Sequence, residues 1–178
     1  MLKIAITLPN VICEEAVTIR RLLAECIDII HLRKPDADID YCRHLLEELT
    51  PSQRSRIVVH NHYELYEEFK LRGVHINRNI RHLPASYSGS RTRSCHSFDE
   101  VIRYKDECDY LLLSPIFDSI SKAGYRSAFT HDELLQASTE GIIDSRVIAL
   151  GGVTPEKIAY LESLGFGGVA MSGAIFKI

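Results

Sequence analysis

Tryptophan is absent from this chain of 178 residues, methionine occurs twice and aromatic residues make up 8%. Any buried interior must therefore be built from aliphatic side chains. No apolar run reaches the ~20 residues needed to cross a bilayer. The N-terminus lacks a charged segment followed by an apolar one, so no secretory leader is expected. Five cysteines (Cys13, Cys26, Cys42, Cys95, Cys108) are scattered without a C-x-x-C pair. That pattern excludes a disulfide framework and fits reduced thiols in the cytoplasm. Cys26 and Cys108 lie beside apolar runs and are expected to fill the core. A net charge of −3 excludes general binding to nucleic acid or membrane surfaces. Arg72, Arg78, Arg81, Arg91 and Arg93 do cluster, as an anionic-ligand surface or an ordinary solvated face.

What is present is a strict alternation of short apolar runs with helical patterns. The runs are 2–8, 27–32, 57–60, 74–76, 90–96, 110–113, 147–150 and a last one ending near Met171. Between them, apolar residues recur at helical spacing over 14–25, 38–49, 63–71, 97–105, 131–137 and 154–164. Start and stop signals agree. Asp38 or Asp40 can cap the second helix, Ser97-Phe-Asp-Glu100 reads as a capping box, and Pro155 and Gly165 bracket the last helix. Eight strands in strict alternation predict an α/β chain folded as a compact (β/α)8 TIM barrel, one domain over 1–178. The segment 77–89 has little periodicity, so helix four is expected to be reduced. Few residues follow the eighth strand, so the last helix is expected to be truncated. An open doubly wound sheet is the alternative fold.

The last two units carry the strongest chemical signal. Ala149-Leu-Gly-Gly-Val153 and Val169-Ala-Met-Ser-Gly173 each end a buried strand in small residues. Glycine there lets backbone N–H groups approach an anion closely. Barrels of this type place a phosphate site after strands seven and eight. Tight strand-to-helix packing explains one such turn; two in consecutive units favour phosphate. The other predicted strand ends supply His31, Arg33, His60, Asn61, His62, His75, Asn77, Ser94, His96 and Ser114, a face rich in imidazole and almost free of carboxylates.

Set side by side, these strand-end motifs resemble those of the thiamine phosphate synthase / TenI superfamily. His31-Leu-Arg-Lys-Pro35 stands where members have Q-L-R-x-K, and Asn61-His62 where they have N-D. Gly73-Val-His-Ile-Asn-Arg78 matches G-V-H-I-G-Q, Ser94-Cys-His96 matches S-x-H, and Ser114-Pro-Ile-Phe-Asp-Ser-Ile-Ser-Lys122 matches G-P-x-F-x-T-x-T-K. The resemblance implies a site for a thiazole phosphate, with phosphate on the backbone of Gly151, Gly152, Met171 and Ser172. It implies substrate contacts from Arg33, Lys34, Asn61, Ser94 and Lys122. In the synthases a pyrimidine pyrophosphate is joined to the thiazole with loss of pyrophosphate, and two aspartates hold Mg²⁺.

Here His62 replaces the first of those aspartates, and the second falls near Asn79 or Ile80. Imidazole is a poor Mg²⁺ ligand, so no metal is expected at this position, and Mg²⁺ only if synthase activity holds. TenI-type members need no metal and move a proton with a histidine matched by His96. Imidazole, with an ordinary pKa of about 6.5, suits that task. Within that resemblance, loss of the metal acids and retention of His96 favour a metal-independent thiazole tautomerase. Thiamine phosphate synthase is the alternative, and a phosphate-ligand sensor without turnover is a third. The expected partner is a small phosphate substrate, with no nucleic acid and no membrane; a homodimer is allowed.

His60, His62, His75 and His96 also suggest a Zn²⁺ cluster, ranked below proton transfer because no carboxylate or cysteine stands at ligand spacing. His75 is expected to be structural. Lys122 as a Schiff-base lysine is ranked below an anion contact. Cys95 and His96 are expected to point to opposite faces.

Overall fold

The structure is a computed structural model and describes residues 1–77, 83–118, 127–173 and 175. Strand β1 (Leu2–Ile6) begins a parallel sheet in which each strand lies beside the next in sequence. It continues through β2 (Ile29–Leu32), β3 (Ile57–Val59), β4 (Gly73–Ile76), β5 (Ser90–Cys95), β6 (Tyr110–Leu113), β7 (Val147–Leu150) and β8 (Gly168–Met171). Pairing of Ile4 with Ala170 brings β8 back to β1 and closes the barrel. Closure leaves no exposed sheet edge.

Helices α1 (Glu15–Glu25), α2 (Ile39–Glu47), α3 (Pro51–Arg54), α4 (Glu64–Phe69), α5 (Phe98–Tyr104), α6 (His131–Thr139) and α7 (Ile158–Ser163) cover the outside. Their starts follow from the sequence. Asp38 accepts the amide of Tyr41 at 2.8 Å, and Thr130 and Glu133 form a full capping box. Thr50 and Gln53 form another around Pro51, making α3, a short helix that apolar periodicity does not announce. At α5 the box is displaced by one residue. Ser97 accepts from Glu100, but the Glu100 carboxylate receives the amide of His96, at 2.6 Å. The seventh helical segment splits into a 3₁₀ turn, Pro155–Lys157, and α7.

Burial follows the period-two alternation of the strands. Residues such as Ile30, Val59, Leu111 and Val169 face the helices in two outer clusters. Ile4, Ile6, Ile29, Val58, Leu112, Ile148 and Ala170 pack together inside the barrel. Among the described residues, no helix lies between β4 and β5 and none follows β8. Tyr87 covers the first gap, buried with its hydroxyl donating to Ser90 O, and Ile175 packs against both outer clusters. Cys108 is buried as expected, but Cys26 is exposed: it caps the end of α1, where the chain turns before β2. Among the described residues, no helix is long and apolar enough to cross a membrane.

Candidate active site at the C-terminal mouth of the barrel

The turn after β7 sets the geometry of the anion site. Gly151 and Gly152 have φ of 93° and 60°, the left-handed region that side chains rarely adopt. The loop after β6 presses on them. A Cβ on Gly152 would stand 2.2 Å from Asp118 O, and one on Gly151 2.8 Å from Pro115 Cα. Their carbonyls are occupied, Gly151 O by Phe117 N and Gly152 O by Lys157 Nζ. The amides of Gly151, Gly152, Ser172 and Gly173 make no hydrogen bond to any described residue. Donors of this kind at two adjacent strand ends make a candidate anion cradle. Met171 is the last paired residue of β8, opposite Ala5, and is buried; the amides clear of the ladder begin at Ser172.

Arg33 follows β2. Its backbone N–H donates to Thr7 Oγ1 at 2.9 Å, fixing the chain, while its guanidinium meets no hydrogen-bond or ion-pair partner among the described residues. Lys34 is placed otherwise than expected. Its ammonium is buried, donates to Leu8 O at 2.8 Å and Asn10 O at 2.6 Å, and forms an ion pair with Glu15 Oε1 at 2.7 Å. Buried between two carbonyls and the Glu15 carboxylate, Lys34 ties β2 to α1 and is turned away from substrate.

His96 is exposed just past β5, while Cys95 is buried against the helices, so the two do point to opposite faces. His96 Nδ1 lies 2.9 Å from Ser114 O. A carbonyl only accepts, so Nδ1 carries the proton in the neutral ring and the Nε2 lone pair is left unprotonated. Asn61 is half-buried, with no side-chain bond to a described residue. Ser94 Oγ lies 3.1 Å from His75 Nε2. Lys122, Arg78, Arg81, Asn79 and Ile80 lie outside the described residues. Arg91 and Arg93 lie over the rings of Tyr87 and Tyr104.

His62 does not offer Mg²⁺ a site. Its φ of 56° turns the chain away from the line of β3, and its Nε2 donates to Ala37 O at 3.1 Å. Nitrogen engaged with a carbonyl is not a hard oxygen ligand, so the described residues do not fit that ion. His60 keeps the inward direction of β3 and meets His31 and His75, both buried inside the barrel. Among the described residues, these three are the group of His, Cys, Asp or Glu side chains whose ligand atoms converge, and no carboxylate joins them. The sequence grouped His60 and His75 with His62 and His96 and left His31 out; the fold brings His31 in and leaves His62 and His96 outside the group. The signal lay in the parity of the strands, which puts His31 two residues beyond Ile29, His60 beyond Val58 and His75 beyond Gly73.

The thiamine monophosphate synthase family model matches residues 5–175. A thiamine-phosphate synthase of Bacteroides thetaiotaomicron is 23% identical over 162 residues, covering 83% of this chain and 77% of the relative. One from Photorhabdus laumondii is 28% identical over 168 residues, covering 89% and 77%. The crystal structure of a thiamine phosphate pyrophosphorylase from Bacteroides thetaiotaomicron superposes with a TM-score of 0.88 at 38% identity, covering 98% of this chain and 84% of that one. That of Pyrococcus furiosus, at 17% identity and a TM-score of 0.76, shares the fold. This chain belongs to the thiamine monophosphate synthase family.

Proposed function

We propose that the chain acts in thiamine biosynthesis as a thiamine phosphate synthase-type transferase, joining a pyrimidine methylene carbon to a thiazole phosphate. One observation carries this reading: the mouth holds two separate places for an anion. Among the described residues the amides after β7 and β8 and the Arg33 guanidinium after β2 meet no partner; the amides suit a phosphate monoester and the guanidinium a second anionic group. A condensation of a phosphate with a pyrophosphate needs both. In that step the thiazole nitrogen forms the new C–N bond while the C–O bond to pyrophosphate breaks, and the departing oxygen takes the electron pair. Arg33 would receive that charge. The relatives, named as synthases, shift the weight from proton transfer to this reaction. Free cysteines and a biosynthetic role support a cytoplasmic location.

A tautomerase is the second reading, because His96 presents at the mouth an Nε2 with no partner among the described residues, and a thiazole carboxylate would also suit Arg33. The two are separated by supplying purified protein with pyrimidine pyrophosphate and thiazole phosphate, and separately with the thiazole carboxylate phosphate tautomer. Thiamine phosphate with stoichiometric pyrophosphate is the expected result, lost in Arg33→Met. Aromatisation without pyrophosphate release, abolished in His96→Ala, would instead establish the tautomerase. Binding of thiazole phosphate with no turnover of either substrate would leave a sensor.

A further inference from the structure

The interior of the barrel is divided. Inward residues of β7, β8 and β1 are aliphatic, whereas β2 to β6 place His31, His60, His75, Thr92, Ser94 and Tyr110 side by side. Aliphatic side chains would fill this space with less desolvation cost than imidazoles. Three histidines from consecutive strands instead bring ring nitrogens within 4.8 Å of one another. His31 Nδ1 lies 2.9 Å from His60 Nε2, and the rings of His60 and His75 stack at 4.1 Å.

We propose that His31, His60 and His75 form a buried metal site for a transition-metal dication of the Zn²⁺ or Co²⁺ class. The site does not depend on which reaction the mouth performs. The donor set is nitrogen alone, which suits Zn²⁺ and excludes Mg²⁺ and Ca²⁺.

The second layer is already built, since metal-bound histidines are normally held through their other nitrogen. Tyr110 Oη sits 2.7 Å from His31 Nε2, and Thr92 and Ser94 hydroxyls sit 2.8 and 3.1 Å from the two nitrogens of His75. Two facing nitrogens at hydrogen-bond distance share one proton. If the His31 proton moves to Nε2, where the Tyr110 oxygen accepts it, both facing lone pairs are released toward one point. His75 adds a third by letting go of one hydroxyl while the other steadies the ring. Zn–N bonds of about 2.1 Å require nitrogens roughly 3.4 Å apart, so His31 and His60 part by about 0.5 Å, the widest spacing of up to 4.8 Å shortens by about 1.4 Å, and His75 turns out of its near-parallel stack on His60.

Burial lowers the pKa of all three rings, that of His75 to about 3, so they stay neutral and able to coordinate well below pH 7. Arg33, Arg72 and Arg93 act on the same rings and oppose a bare dication. A fourth, anionic ligand, hydroxide or a phosphate oxygen, offsets them.

The test is a Co²⁺ titration of tag-free protein stripped with chelator. One equivalent per chain should give the visible d–d bands of tetrahedral cobalt, bleached by Zn²⁺. His31→Gln, His60→Gln and His75→Gln should each weaken binding by about 100-fold, and Tyr110→Phe by about 10-fold. His44→Ala and His131→Ala should bind normally. Absence of a saturable spectrum, or binding that survives any of the three glutamine substitutions, overturns the proposal. Zn K-edge absorption on the wild-type chain needs no variant. A shell of three imidazoles supports the site, and fewer than three overturns it.

Discussion

Lys34, expected as a substrate contact, is instead committed to the inside of the fold. A lysine after β2 invites an anion, yet its ammonium lies 2.7 Å from Glu15, with both side chains 1% exposed. Tyr41 donates to the other carboxylate oxygen at 2.8 Å. Removing one member of a buried pair leaves the other charge uncompensated, at a cost of about 3–5 kcal/mol. Lys34→Met should therefore lower the urea midpoint strongly, and Glu15→Leu should do the same. The double variant should recover most of the loss, because two apolar side chains replace two charges. A double-mutant cycle by urea unfolding checks this; equal additivity of the two losses would contradict the pairing. The buried imidazoles give a second residue-level expectation. Burial holds their folded pKa below the unfolded value of 6.5, so the unfolded chain binds more protons as pH falls. Stability is complete above about pH 6.5 and declines below it, by up to about 1.4 kcal/mol per pH unit for each ring. For His75 the decline runs down to about pH 3. His75→Phe should remove about one proton from the slope of unfolding free energy against pH between 6 and 4.

At the scale of elements, the turn after β7 couples backbone conformation to binding. Gly152→Ala must place a side chain at φ 60° and within 2.2 Å of a backbone oxygen. Residues held in that region cost about 1–3 kcal/mol, and here the loop after β6 must also shift. We expect a lower thermal midpoint together with loss of inorganic phosphate binding by calorimetry. Retained affinity would show that the cradle does not use this turn. That turn was legible in the sequence because paired glycines after a buried run have few other uses. The eight strands were legible for a related reason: burial on both faces demands continuous apolar runs in β6 and β7. Their ends were less so, as His60 and His96 read as strand residues but lie just past β3 and β5. Helix α3 escaped because four residues carry no periodicity, only the Thr50-Pro51 start. The Cys26 error has the same origin. Proximity to a strand says nothing of which side a turn exposes. Convergence of His31, His60 and His75 depended on inter-strand register, which no single segment contains.

Across the whole molecule, closure arranges the functional groups by strand order. The amide cradle belongs to β7 and β8 and Arg33 to β2, so the anion-receiving features flank β1. His96 follows β5, on the side of the ring opposite β1. On the proposed function, anions would be drawn to one half of the mouth, and a reacting centre between them would face His96 across it. This separation makes binding and chemistry independently removable. A ligand present at about 100 times its Kd stabilises the native state by about 2.7 kcal/mol, roughly 5–10 °C in a domain of this size. Thiazole phosphate should raise the midpoint by that order in the wild type, and equally in His96→Ala. Pyrophosphate stabilisation should fall in Arg33→Met while thiazole phosphate stabilisation persists. Calorimetric scans of the three proteins with each ligand measure all of these shifts. If His96→Ala abolished stabilisation by both anions, the imidazole would belong to the anion site itself, and the division of the mouth drawn from strand order would be wrong.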